Sequence, residues 1–365
     1  MFDFENFLKQ IVAMDVSDIH LRVNEVPIVR KNGVMIKTNM TPLSKESLER
    51  VADIVIPPHM KNEIDKVLNY DFLYELPGVS RFRVNYAKSM QAPMLVLRVI
   101  PYKAPTFEER KIPNVLKNIC NTNNGVILVT GPTGSGKSTT LTAMLQHINT
   151  IVPKHIITIE DPIEFLHTND KSIFSQRQIG IDTEDFPTSI RAALRQDPDI
   201  ILIGEIRDRE TAREALSAAE TGHLVFSTLH TSDAVQTVNR IVNFFEPYER
   251  EQIRTQLAQV LRATIAQKLL PTADNTTRVP AFEILVSTPT IKDYIIKDEL
   301  ENVYNLIKEG KYSDMITLNM YLANLVREKT ITPEVALQAS ENKNELMQIF
   351  KGTYHTSNDK QKFGR

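Results

Sequence analysis

The octet Gly131-Pro132-Thr133-Gly134-Ser135-Gly136-Lys137-Ser138 has the residue types and spacing of a loop that wraps phosphate. Its glycines let backbone N–H groups close around the α- and β-phosphates, and the start of a following helix adds positive potential. Lys137 reaches the β/γ oxygens, and the Ser138 hydroxyl can ligate Mg²⁺. The context is right: Val126-Ile127-Leu128-Val129 reads as a strand before the loop, and Leu141, Met144, Leu145 and Ile148 share one face of a helix after it. ATP and Mg²⁺ are therefore the expected cofactors, with Gly131, Pro132, Thr133, Gly134, Ser135, Gly136, Lys137, Ser138 and Thr139 on the nucleotide.

Three more constellations stand where strands are expected to end. Glu160-Asp161-Pro162-Ile163-Glu164 follows Ile156-Ile157-Thr158-Ile159. Attack of water on a γ-phosphate calls for a carboxylate that orients or deprotonates the water, or one that holds hydrated Mg²⁺, and Glu164 is the first candidate. The alternative is a solvated acidic turn. Gly204-Glu205 ends the apolar run Ile200-Ile201-Leu202-Ile203, so Glu205 is expected to face Mg²⁺, or to form an ion pair with Arg207 or Arg191. His223 and His230 bracket Leu224-Val225-Phe226 and can hydrogen-bond phosphate or a catalytic carboxylate, a nucleotide-sensing role. Their spacing does not suit a tight zinc site.

The elements that must position these groups fall into two expected domains. Asp3 as N-cap before Phe4, Phe7, Leu8 and Ile11 predicts an opening amphipathic helix. Pro27 to Arg30 and Val34 to Ile36 flank the Asn32-Gly33 turn of a hairpin, and Arg81 to Asn85 and Met94 to Ile100 read as two more strands. Residues 1–100 thus predict an α+β domain, and the prolines at 101, 105 and 113 predict a linker over 101–111. From 112 to 285, apolar strands alternate with helical patterns, which predicts a parallel sheet covered on both faces with chemistry at the carboxyl ends of its strands. After Pro247, one helix carrying Ile253, Leu257, Val260, Leu261 and Ile265 is expected. A helical region over 286–352 and a frayed polar tail over 353–365 complete the chain.

Composition narrows the function. Of 365 residues, 42% are hydrophobic and 24% charged, and the formal net charge of −2 offers no basic footprint for nucleic acid. No apolar run approaches the roughly 20 residues needed to cross a bilayer, and the acidic start Met1-Phe2-Asp3-Phe4-Glu5 does not read as a signal peptide, so a cytoplasmic protein is expected. The single cysteine, Cys120, is expected to be a small buried apolar residue.

The phosphate loop, the Glu160 to Glu164 box, Gly204-Glu205 with Arg207-Asp208, and the paired histidines, in this order, resemble the type II/IV secretion ATPases, in the PilT/PilU branch of type IV pilus retraction motors. Ser17-Asp18-Ile19-His20-Leu21 and Arg81 to Asn85 resemble that family's N-terminal PAS-like domain, and Ala193 to Asp199 the run before its metal-facing strand. The resemblance implies a RecA-like core, ATP hydrolysis and a homohexameric ring at the inner-membrane base of the pilus machine. That ring would act on a membrane-embedded platform protein so that pilin returns to the membrane and the cell twitches. It also implies that Glu164 polarises the attacking water, that Glu205 acts on Mg²⁺, that His223 and His230 form the histidine box, and that Arg83 and Arg98 complete the site.

Departures from the family pattern matter too. Extension motors carry a four-cysteine zinc element, which a chain with one cysteine cannot form. The hallmark Ala-Ile-Arg-Asn-Leu-Ile of the retraction branch stands here as Thr290-Ile291-Lys292-Asp293-Tyr294-Ile295, without the arginine and asparagine. With Phe244-Phe245 and Lys268 to Thr272, this leans toward an accessory, PilU-like retraction ATPase, or a regulatory ring component, acting with a separate paralogous motor.

Overall fold

The computed structural model describes residues 2–31, 33–61, 69–100, 104–309 and 314–352. The turn residue Asn32, the first three linker residues and the polar end from 353 lie outside them. The chain divides into two compact units, Met1–Lys103 and Ala104–Arg365.

In the first unit, Asp3 caps α1 (Phe4–Ala13) by accepting the Asn6 N–H, and Phe4, Phe7, Leu8 and Ile11 are buried along one side. Strands β1 (Asp18–Arg22), β2 (Ile28–Lys31) and β3 (Val34–Lys37) follow. Then come α2 (Lys45–Val55), β4 (Asn69–Leu76), β5 (Ser80–Ser89) and β6 (Ala92–Ile100). The strands form an antiparallel sheet in the order β3-β2-β1-β6-β5-β4. Residues from both helices and from the sheet's inner face, Leu8, Leu48, Phe82, Val84, Leu95 and Leu97 among them, make the core of this α+β unit.

The second unit opens with α3 (Val115–Cys120), β7 (Gly125–Thr130) and α4 (Lys137–Ile151). It continues with β8 (His155–Glu160), β9 (Ile173–Gln178), α5 (Phe186–Ala193), β10 (Ile200–Ile203), α6 (Arg209–Glu220) and β11 (Leu224–Leu229). Then come α7 (Ala234–Asn243), α8 (Arg250–Val260), β12 (Leu261–Pro271) and β13 (Arg278–Val286). Helices α9 (Pro289–Lys297), α10 (Leu300–Glu309), α11 (Leu318–Arg327), α12 (Pro333–Ala339) and α13 (Lys343–Phe350) follow. The sheet order is β13-β12-β7-β11-β10-β8-β9, parallel throughout except for the antiparallel edge strand β13.

Alternation explains why the inner strands read as unbroken apolar runs. Val126 and Leu128 point into a core shared with α5, α6, α7 and α8, whereas Ile127 and Val129 point to the other face, against α3 and α4. Cys120 is buried on that second face, and burial pushes its thiol up to about 12, so it behaves as the apolar residue expected.

The single helix expected from Ile253 to Ile265 is corrected. Helix α8 stops at Val260, where Leu261 turns to extended backbone, and Leu261 and Ile265 belong to strand β12. β12 lies between β7 and β13, and Ala263 and Ile265 bury on the α4 side. A short apolar run carries the same local signal for a buried helix turn and a buried strand, and tertiary pairing decides between them.

Candidate nucleotide-binding and active site

Parallel pairing brings the carboxyl ends of β7, β8, β10, β11 and β12 to one edge of the sheet, and the candidate groups emerge there. Thr130 at the end of β7 pairs with Leu229 at the end of β11 and with Ala266 on β12. Ile203 at the end of β10 pairs with Ile159 near the end of β8.

The loop from Gly131 to Gly136 leaves this edge and enters α4 with Gly136 as N-cap at φ 90°. That conformation suits glycine, and Gly136 supplies no side chain to occupy the N–H groups of the first turn. A Cβ on Gly131 would meet the Gln267 carbonyl oxygen at 2.3 Å and Ser135 Oγ at 2.7 Å, so only hydrogen fits. Ser135 Oγ is buried without a hydrogen-bond partner. An uncapped helix start beside an orphaned hydroxyl is a donor set suited to phosphate oxygens. Lys137 is buried and its Nζ donates to the carbonyls of Gly131 at 2.8 Å and Pro132 at 3.2 Å. Burial lowers its pKa, while the carboxylates of Glu205 and Glu164 act to raise it. One ammonium thus feels both candidate carboxylates. Ser138 and Thr139, half-buried, occupy the first turn of α4.

Glu205 follows β10 and is held from β11: Thr228 Oγ1 donates to the Gly204 carbonyl at 2.7 Å, and Ile206 N–H donates to the Thr228 carbonyl at 3.0 Å. The Glu205 side chain is 14% exposed; Oε1 forms an ion pair with Arg207, and Oε2 lies 3.3 Å from His230 Nε2. The ion pair foreseen with Arg207 therefore exists at the same carboxylate that faces Lys137, whereas Arg191 pairs with Glu214. Glu164 is exposed on the loop after β8. Gln178 Oε1 accepts the Ile163 N–H at 3.3 Å and Gln176 Nε2 donates to the Phe165 carbonyl at 2.9 Å, which pins this loop to β9. Glu160, at the end of β8, is half-buried; Thr158 Oγ1 donates to it at 2.6 Å, and partial loss of solvent pushes its carboxyl up to about 7.

Within the second unit, one expected residue stands apart from this group. His223 sits at the amino end of β11, with its carbonyl accepting the N–H of Gly125, the first residue of β7, and its Nδ1 3.0 Å from the Ala218 carbonyl. It is at the opposite end of the strand from His230, so the fold of the chain does not bring it to the phosphate loop. Arg83 and Arg98 are cross-strand neighbours on β5 and β6 of the first unit, where Arg83 faces Asp71 at 3.5 Å and Arg98 donates to Asp18 at 2.9 Å.

Sequence reading passed over three glutamines. Gln176 and Gln178 on β9 anchor the acidic loop, and Gln267 on β12 touches the phosphate loop. For Gln267 no local signal existed, because Arg262, Thr264 and Lys268 share the same strand and make one more polar residue unremarkable. The β9 pair carried none, because the strand runs Ser175-Gln176-Arg177-Gln178 after Ile173-Phe174, a polar stretch in which no residue stands out.

Among the described residues no three His, Cys, Asp or Glu side chains converge as a metal cage. Mg²⁺ does not need one, since it keeps several waters and binds through one or two protein groups plus substrate phosphates, which Ser138 and Glu205 can supply. Among the described residues no helix is long and apolar enough to cross a membrane.

Comparison with known proteins identifies the family. Residues 5–310 match the family model "Type II/IV secretion system protein". The type IV pilus retraction ATPase PilT of Pseudomonas aeruginosa is 40% identical over 93% of this chain and 98% of that protein. The type IV pilus ATPase PilU of the same organism is 36% identical over 96% of this chain and 91% of that protein. A crystal structure of the pilus retraction motor PilT with bound ADP superposes with a TM-score of 0.89 at 39% identity, covering 95% of this chain and all of that one. The chain belongs to the type II/IV secretion system protein family, as an ATPase of the PilT type.

Proposed function

We propose that this chain hydrolyses Mg-ATP as a ring-forming motor and that the resulting motion retracts type IV pili, the process behind twitching motility. The observation that carries the reading is the convergence of Lys137, Glu164 and Glu205 at the carboxyl edge of one parallel sheet. The loop from Gly131 to Thr139 holds the phosphates, with Lys137 moving from its carbonyl partners onto the β/γ oxygens. Glu164, exposed and pinned from β9, orients the attacking water. Mg²⁺, when bound, would supply neutralisation of the phosphate charge. Ser138 and Glu205 would hold its hydrated shell, with His230 fixing the direction of the Glu205 carboxylate.

In a homohexamer, Arg83 and Arg98 would complete the site of a neighbouring subunit, so that hydrolysis and ring motion are coupled. The working division of the chain is a PAS-like domain over 1–100, a linker over 101–111, a RecA-like core over 112–285, a helical region over 286–352 and a tail over 353–365. The motor would work in the cytoplasm at the inner-membrane base of the pilus, against a platform protein there.

One observation supports the accessory, PilU-like reading. In α9, Ile291 and Ile295 are buried in the core, whereas Asp293, standing where the retraction branch carries asparagine, is exposed, and Lys292, in place of the arginine, is half-buried with its Nζ donating to the Gln259 carbonyl at 3.4 Å. Neither changed position belongs to the buried core, which leaves the change free to alter a contact with a partner. Labelled pili on cells carrying Lys137→Ala as the only change test both readings. Loss of retraction with excess pili marks the principal motor, and near-normal retraction marks an accessory one. Absence of Mg²⁺-dependent ATP turnover by the purified native chain would remove both.

A further inference from the structure

One buried side chain holds the phosphate loop from behind. Gln267, 3% exposed, follows Ala266 on β12, the partner of Thr130 at the end of β7. Its Nε2 donates to the Ser135 carbonyl at 2.7 Å, and its Oε1 accepts from the Thr140 hydroxyl at 2.7 Å. The approach leaves no slack. A Cβ on Gly131 would lie 2.3 Å from the Gln267 carbonyl oxygen, and one on Gly136 would lie 2.9 Å from Gln267 Nε2.

A trans peptide sets its C=O and the following N–H on opposite sides of the bond. Holding the Ser135 carbonyl against Gln267 therefore turns the Gly136 N–H away from that amide, and the bond to Thr140 ties the first turn of α4 to the same group. Donors fixed before the ligand arrives need no reordering on binding.

We propose that Gln267 is a positioning residue for the phosphates, acting by fixing the 135–136 peptide plane and the start of α4. The inference rests on the reading of this loop as the nucleotide site. It assigns to β12 a role in substrate binding that is separate from its packing.

The test measures ADP binding to the full chain by calorimetry, and steady-state ATP hydrolysis, well below the unfolding temperature. Gln267→Met keeps length and volume but makes neither hydrogen bond. Its Kd for ADP is expected to rise roughly 10–100-fold, about 1.4–2.7 kcal/mol. KM for ATP should rise in step while kcat stays within about threefold, because the lost contact serves ground and transition states alike. A merely structural role would lower the unfolding temperature and leave Kd within about twofold of native, and that result overturns the proposal. Should Gln267→Met fail to fold, Thr140→Val frees the amide at one end only; a roughly 3–10-fold rise in Kd supports the clamp and an unchanged Kd overturns it. Failure of the native chain to bind ADP, or binding that survives Lys137→Ala, would remove the nucleotide site itself and the clamp with it.

Discussion

His230 Nε2 stands 3.3 Å from Glu205 Oε2, although 25 residues separate them in the chain. The contact joins the ends of the neighbouring strands β10 and β11, and the other Glu205 oxygen meets Arg207. Glu205 is thus gripped from two sides, and its direction depends on both. His230→Phe is expected to lower kcat by roughly 10–100-fold, the usual effect of losing a group that orients a metal-facing carboxylate. His230→Gln, whose amide can still donate to Glu205, should recover part of that loss. Equal turnover in native, Phe and Gln proteins would show that the contact has no part in the reaction.

Among the described residues the hydrogen bonds of Lys137 go to main-chain carbonyls of its own loop, and Glu205 keeps Arg207 as its ion partner when the lysine is removed. Lys137→Ala should therefore fold normally, by circular dichroism and thermal melting, while ATP turnover falls at least ~100-fold through lost charge stabilisation. Retained turnover would mean that the loop does not serve ATP.

Glu164 is exposed and belongs to a loop anchored through Gln176 and Gln178, not through its own side chain. Glu164→Gln is expected to leave the ADP Kd within about twofold and to reduce kcat by roughly 10²–10⁴, the range for a general base. A parallel loss of ADP affinity would instead place this carboxylate in binding.

Two carboxyls withdrawn from solvent make stability depend on pH in a definite direction. Glu160 and Glu283 are each pushed up by burial from 4.5 to about 7. Between those values the folded chain keeps protons that the unfolded chain has released, so stability falls as pH rises from about 4.5 to about 7 and then levels off. Glu283→Gln keeps an oxygen for the Ala234 N–H, bonded now at 2.9 Å, and should remove on the order of 1–3 kcal/mol of that decline. Urea unfolding of native and variant at pH 5 and pH 8 checks this. The variant's advantage must appear at pH 8, and an advantage confined to pH 5 would contradict the assignment.

Strand β12 is load on the same core. Ile265, fully buried between the sheet and α4, should cost about 2–5 kcal/mol as Ile265→Ala in urea unfolding, whereas a position on a surface helix would cost far less.

What the sequence determined by itself was local chemistry and local order. The phosphate loop was legible because its donors are consecutive residues between a strand and a helix, and the first helix because its cap and apolar spacing lie within ten residues. Glu164, Glu205 and His230 were legible as charged or imidazole groups following apolar runs. Tertiary structure alone decided which of them meet. Only the parallel order of β8, β10, β11 and β7 sets Glu164 and Glu205 about Lys137, and only the direction of β11 puts His230 at the chemical edge and His223 at the far one. It also decided that Leu261 to Pro271 is a strand, because pairing with β7 and β13 supplies the hydrogen bonds that local spacing cannot specify. Gln267 became visible in the same step: a side chain acting on a loop 132 residues away has no periodicity to betray it, since its partner is set by sheet register, not by spacing along the chain.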